Sequence, residues 1–302
     1  MPLRNILILT SCQLISATGA IIMVTLGGII GSKLATDPTL ATLPVSIMVL
    51  CVAATAIPAT VLMKRIGRRR GFALASLSAM LATVLAGVAL ATESFAVFIA
   101  AGATFGINMA FTQQYRYAAA ESVDPENAPR AISYVLLGAI GGALVGPELV
   151  KYGQFAVPAV QYLGTLLVLG CLYILQSVLF LSLGPLRGEG PEKDAQPTRP
   201  LTDVAKQPLF IVAVLGGATA YGVMTFIMTA TPLSMHVHDG FALEDTAQVI
   251  RSHVLGMYVP SLVAGNLIQR FGVVRIMSIG AAGLVGACLI GLQGQSYMPV
   301  SY

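Results

Sequence analysis

Gln13 and Ser16 stand three residues apart, Asn108 and Thr112 stand four apart, and Tyr221, Thr225 and Thr229 repeat at four-residue spacing. Each group interrupts an apolar run, and on a helix each would share one face. Gln113 and Arg116 follow the second group, and His253 and Tyr258 punctuate a later run. Amides, hydroxyls, a guanidinium and an imidazole in apolar surroundings can hold a polar solute. They can also bond to one another between helices, or back to their own helix. Arg116 falls near the end of its run, where a long side chain can reach water. Bond-making chemistry lacks its parts: the sequence has no paired carboxylates, no HExxH and no Ser/His constellation at one depth, so an enzyme is not expected. No Asp or Glu falls in the middle of an apolar run; Glu93, Glu148, Asp239, Glu244 and Asp245 lie at or near run ends. His253 is then the one titratable switch inside a run, with an ordinary pKa of about 6.5. Any proton-linked step would run through that histidine. Cys12, Cys51, Cys171 and Cys288 fall in separate apolar runs without a CxxC. His236, His238 and Asp239 form a short cluster that reads as a solvated loop. Neither a metal nor a cofactor is expected.

The elements that position these residues follow from composition. The chain has 302 residues, of which 56% are hydrophobic and 10% charged, against roughly 25% charged in soluble proteins. A water-soluble globule of this length could not bury so much apolar surface. A helix needs about 20 apolar residues to cross the hydrocarbon. Such stretches run roughly over 6–32, 43–63, 72–92, 94–115, 131–150, 156–184, 208–233, 247–268 and 273–293. They are apolar all round rather than alternating, which excludes a β-barrel and predicts an all-α integral membrane protein with about nine spans. With the N-terminus in the cytoplasm, every one of the 17 Lys and Arg residues except Lys33, Lys151 and Arg251 lies on the cytoplasmic side, as positive charge in short loops should. The expected location is therefore a membrane, with the N-terminus in the cytoplasm. The hydrophilic, Pro-rich segment 185–207 reads as a cytoplasmic linker. It separates an N-terminal six-helix bundle, 1–184, from an incomplete C-terminal bundle of three helices, 208–302.

Five positive charges crowd into "KRIGRRRG", Lys64 to Gly71. Membrane spans flank it, so it reads as a short cytoplasmic loop and not as a nucleic-acid contact. It has an echo: "TVLMKRIGRRRG" from Thr60 and "GNLIQRFGVVRI" from Gly265 share Arg-x-Gly, Arg65/Gly67 and Arg270/Gly272. "ATGAIIMVT" from Ala17 and "ATAYGVMT" from Ala218 recur at a similar offset, which points to two related halves. A six-span half, a charged linker and a basic loop between spans two and three that recurs in the other half resemble the Major Facilitator Superfamily. Its loop signature is G-x-x-x-D-R-x-G-R-R. This chain keeps Arg65, Gly67, Arg68, Arg69 and Arg70, but has Thr60 for the first Gly and Lys64 for the Asp; the second copy has Gln269 at the Asp position. The resemblance implies a cytoplasmic gating loop, and the missing Asp puts its usual latch in doubt. Arginines docked on helix C-termini could serve instead.

In "LLGAIGGALVGPELV", Gly138, Gly142, Gly146 and Pro147 resemble the superfamily's Gly-rich fifth helix. Glycines at that spacing permit close helix approach, and the proline would bend the helix. "FTQQYRYAAAE", "RAISYVLLG" and "TPLSMHVHDGF…SHVLGMYVPS" are similar to a bacterial branch that includes riboflavin-type transporters. The family implies a solute site near the midplane lined by spans one, four, seven and ten. The substrate-binding expectation is therefore Gln13, Ser16, Asn108, Thr112, Gln113, Arg116, Tyr221, Thr225 and His253. The function expected is secondary transport of a small organic solute through the bilayer by alternating access. A riboflavin-like vitamin importer and a non-transporting scaffold or sensor are the alternatives. Nine spans against the family's twelve lead to the expectation that residues 1–302 by themselves transport poorly.

Overall fold

The computed structural model describes residues 2–186 and 201–292; within helices it leaves out a few side chains, His238 and Gln269 among them. Most of the expected linker, 187–200, lies outside the described residues. Every regular element among those described is a helix. In order they are α1 (Pro2–Leu34), α2 (Leu43–Ile66), α3 (Arg68–Ala91), α4 (Phe95–Thr112), α5 (Tyr115–Glu121), α6 (Ala128–Gly153), α7 (Leu163–Leu181), α8 (Leu201–Ala205), α9 (Pro208–Pro232), α10 (Leu243–Phe271) and α11 (Val273–Leu292). Seven helical stretches among the described residues are long and apolar enough to span a bilayer: Leu3–Leu34, Pro38–Ile66, Arg68–Ala91, Phe95–Glu121, Pro125–Gly153, Leu163–Leu181 and Pro208–Val237. The last two expected spans correspond to α10, which carries Glu244, Asp245, Arg251 and Arg270, and to α11, with the shorter apolar helix Val274–Ile290.

Two boundaries differ from the expectation, and α2 begins at Leu43 as expected. Span four is two helices, because the chain leaves the α-helix at Gln113–Gln114 and Gln114 N–H turns back to the Phe111 carbonyl. Span six starts at Leu163 rather than 156: Tyr162 has a φ of 68°, a left-handed conformation that ends the preceding turns. Asp37 begins the turn before α2, accepting from both the amide and the hydroxyl of Thr39, which hold its carboxyl below the usual carboxylate range.

A single glycine joins α2 to α3 and another joins α10 to α11: Gly67 at φ 84° and Gly272 at φ 85°. These are the glycines of the two Arg-x-Gly copies. A side chain at either position would meet the steric penalty of positive φ, and glycine avoids it.

The chain divides into two compact units. One comprises Met1–Pro191 with Thr229–Tyr258. Its central helix is α1, enclosed over most of its length. Ile22, Leu26, Ile29 and Ile30 pack with Val45 and Met48 of α2, Phe98 and Phe105 of α4, and Leu169 and Tyr173 of α7. A second cluster gathers Leu9, Cys12, Met63, Phe72, Tyr115 and Phe180 nearer the basic loop. Lipid is as apolar as these side chains, so association here rests on close packing and interhelical hydrogen bonds more than on exclusion of water. The other unit comprises Glu192–Met228 with Val259–Tyr302. Its glycines 216, 217, 222, 280, 283 and 286 have open space where a Cβ would stand.

Candidate functional site

The basic loop places four of its charges in the open: Lys64, Arg65, Arg69 and Arg70 are exposed. Arg68 is different. Its guanidinium donates to the Glu121 carboxylate at 2.5 Å, at the last residue of α5. The chain lacks the family's loop Asp, and a carboxylate on a neighbouring helix end engages the loop instead. Arg270 of the second copy is exposed, with its guanidinium 5.4 Å from the Phe271 ring centre.

The Gly-rich helix packs on α1. A Cβ on Gly138 would strike the Thr10 carbonyl oxygen, and one on Gly142 would lie 2.6 Å from Ala17 Cβ and 2.7 Å from Thr18 N. One on Gly146 would meet Ile21 at 3.1 Å. The contacts climb both helices together, so α6 runs parallel to α1 with its backbone against it. Pro147 lies inside α6, one residue beyond this stripe. A second close approach went unread although it has the same four-residue glycine spacing: Gly102 and Gly106 of α4 lie on the Pro44 and Met48 carbonyls of α2.

The candidate solute contacts separate into three groups. Ser16, Asn108 and Thr112 are engaged inside the bundle. Asn108 Nδ2 donates to the Ala75 carbonyl at 2.8 Å, and Thr112 bonds back to the Asn108 carbonyl of its own helix at 3.2 Å. Ser16 joins a network the sequence did not announce: Gln176 Nε2 donates to Ser16 Oγ at 3.0 Å and to the Tyr115 hydroxyl at 2.8 Å. All three of these residues are buried. The Tyr115 ring is edge-on to Phe72, with centroids 4.9 Å apart, and lies 5.1 Å from Phe180. The first residue of α5 is thereby tied to α1, α3 and α7, directly after the break in span four. Gln176 was visible as an uncharged amide in mid-span, which is the one signal that could have found it.

Gln13, Gln113 and Arg116 form the second group. Gln13 is half-buried beside Gly138, while Gln113 and Arg116 are exposed and bond to each other at 2.6 Å. The third group is Tyr221, Thr225 and His253. Tyr221 is exposed. The Thr225 hydroxyl and His253 Nε2 are buried with no hydrogen-bond partner among the described residues, and so is Asn108 Oδ1 of the first group. Buried polar atoms without partners are costly, and a ligand is one way to satisfy them. In the outlying cluster, His236 Nδ1 lies 2.8 Å from the Phe241 carbonyl oxygen. The described residues hold no group of three metal-ligating side chains.

At the end of α6 remote from the basic loop, four charges cross between two helices. Lys151 Nζ donates to Glu244 at 2.5 Å, and Arg251 stands 3.7 Å from Glu148. Each helix contributes one acid and one base: Glu148 and Lys151 from α6, Glu244 and Arg251 from α10. They border a cavity of about 70 Å³ that Pro147 and Gln154 also line. The sequence placed these charges at run ends but could not pair them.

Comparison with known proteins agrees with this architecture. The family profile of the Major Facilitator Superfamily matches residues 8–302. The riboflavin transporter RfnT of Brucella anthropi is 37% identical over 294 residues, which cover 96% of this chain and 73% of that protein. Two uncharacterised transporters of the same type from Bacillus subtilis, YddS and YdeG, are each 27% identical; they align with 95% and 89% of this chain, and with 69% and 65% of their own lengths. With the helical membrane architecture already evident, the chain belongs to the Major Facilitator Superfamily and is an integral membrane transporter protein of that family.

Proposed function

We propose that this protein is a secondary transporter of a small, flat, polar organic solute of the riboflavin type, working by alternating access. Two helical bundles, 1–184 and 208–302, joined by 185–207, would alternate between two arrangements in a bacterial inner membrane, with the N-terminus and basic loops in the cytoplasm. The observation that carries this reading is the reciprocal ion-pair set Glu148–Arg251 and Lys151–Glu244. Charges that could each face water are instead matched, acid to base, across two helices at one end of the molecule. That is what a closed outer face would need, and such pairs separate at modest cost. The solute class rests on the named relative, alignable over nearly the whole chain. Thr225 and His253, with unsatisfied polar atoms, and Tyr221, with an exposed ring, are the leading solute contacts. Gln13, Gln113 and Arg116 are secondary ones. Ser16 ties α1 to Gln176 of α7 and Asn108 ties α4 to α3, with its buried Oδ1 left open to a solute, whereas Thr112 bonds its own helix.

Thermal unfolding of the purified chain with and without riboflavin tests this. A ligand that binds only the folded state adds about 2.7 kcal/mol of stability at a concentration 100 times its Kd. A rise in melting temperature that saturates with riboflavin, and that His253→Ala or Thr225→Val diminishes, supports the reading. No stabilisation by riboflavin or by a broad panel of organic solutes would favour a non-transporting scaffold.

A further inference from the structure

A cavity of about 520 Å³ opens between the start of α1, the start of α3 and the end of α7. Arg4 and Arg69 line it with residues 181–185, and among the described residues no carboxylate does. We propose that it holds the headgroup of an anionic phospholipid.

The walls are preformed. Arg4 donates one guanidinium nitrogen to the Ser182 carbonyl at 2.8 Å. Asn5 is 3% exposed, and its amide oxygen accepts from Gly184 N–H at 2.9 Å. These two bonds strap the segment after α7 onto the N-terminal turns of α1. A guanidinium has five N–H donors, so Arg4 keeps several for a ligand. Arg69 faces the cavity from another helix and is exposed, with no hydrogen-bond partner among the described residues. Glu121, which could neutralise the loop, is engaged by Arg68. Two guanidinium forks around a pocket whose described lining holds no acid match a phosphodiester. Exposed Lys64, Arg65 and Arg70 on the same loop raise the local positive potential.

The flanks choose lipid over a free anion. Leu3 and Leu7 bracket Arg4 on α1, and Leu181 lies on the cavity wall; all three are exposed. In the bilayer these surfaces meet acyl chains, so one molecule could place its phosphate between the arginines and its chains along the leucines. That the lipid comes from the cytoplasmic leaflet rests on the orientation proposed above. The binding itself does not, so its failure would leave the transport reading standing.

The test is native mass spectrometry of the purified full chain with phosphatidylglycerol or phosphatidylcholine of matched acyl chains. The expected result is a preference for phosphatidylglycerol of about fivefold per arginine. Arg69→Gln touches neither strap bond and should reduce that preference about fivefold, whereas Arg130→Gln, on another exposed turn, should not. Equal retention of the two lipids by the unaltered chain would overturn the proposal without recourse to a variant. So would an Arg69→Gln protein with undiminished preference. Displacement of phosphatidylglycerol by equimolar inorganic phosphate would make this a free-anion site and refute the lipid assignment.

Discussion

Reversing Arg251 to glutamate would set two carboxylates against each other across the α6–α10 seam, where Glu148 and Arg251 are now 3.7 Å apart. The Arg251 and Glu148 side chains are 30% and 49% exposed, respectively, so solvent screens them, and such pairs contribute about 0.2–1 kcal/mol. Reversal loses the attraction and adds a repulsion of similar size. It therefore changes the balance between closed and open outer faces by about 0.4–2 kcal/mol, or about two- to thirtyfold. Gln154 lines the same small cavity and serves as the reporter. With Gln154→Cys in a background lacking the four native cysteines, the rate of labelling by a membrane-impermeant maleimide should rise by that factor in Arg251→Glu. Glu148→Arg should raise it too. The double reversal, Glu148→Arg with Arg251→Glu, should return the rate towards its starting value. If the double variant labels as fast as the more open single variant, or if neither single reversal changes the rate, the pair does not hold this face shut.

Three other outcomes follow from the packing. Gly142→Leu places atoms where Ala17 and the Thr18 backbone of α1 stand; overpacking of this kind costs about 1–3 kcal/mol and should lower the melting temperature in detergent, whereas Gly216→Ala, in open space, should not. Gln176→Leu and Tyr115→Phe each break the bond between them and should cost about 0.6–1.7 kcal/mol, the range for interhelical hydrogen bonds in membranes. Because the two share that bond, the double variant should be less destabilised than the sum of the single changes in the same unfolding measurement. Gly67→Ala forces a side chain into a φ of 84°, at about 1–2 kcal/mol, and should destabilise the chain although the residue is only half-buried.

Much of the fold was legible because a membrane imposes a long apolar period on each helix. The basic junction between α2 and α3 also stood out, since five charges in eight residues have few explanations, although it is two helix ends about Gly67 and not the loop expected. Gly138, Gly142 and Gly146 announced a close helix contact, although not its partner. Other features depend on neighbours distant in sequence. Gln176 reaches Tyr115 across 61 positions, and Lys151 reaches Glu244 across 93. Neither pairing has a local sign. The break at Gln113–Gln114 was equally hidden, because no proline or glycine marks it. Ser16 and Asn108 show the limit from the other side: a polar residue on a helix face reads the same whether it awaits a ligand or already bonds a neighbour.

The account stands on lipid as the solvent for these helices, with the basic loops on one side and the α6–α10 ion pairs towards the other. Compartment-specific labelling of cysteines introduced singly at Gly71 and Asp239, in intact cells and in inverted vesicles, tests that most directly. The two sites should be reached from opposite compartments, Gly71 from the cytoplasm. Labelling of both from the same compartment, or a chain that stays dissolved and folded without detergent, would contradict it.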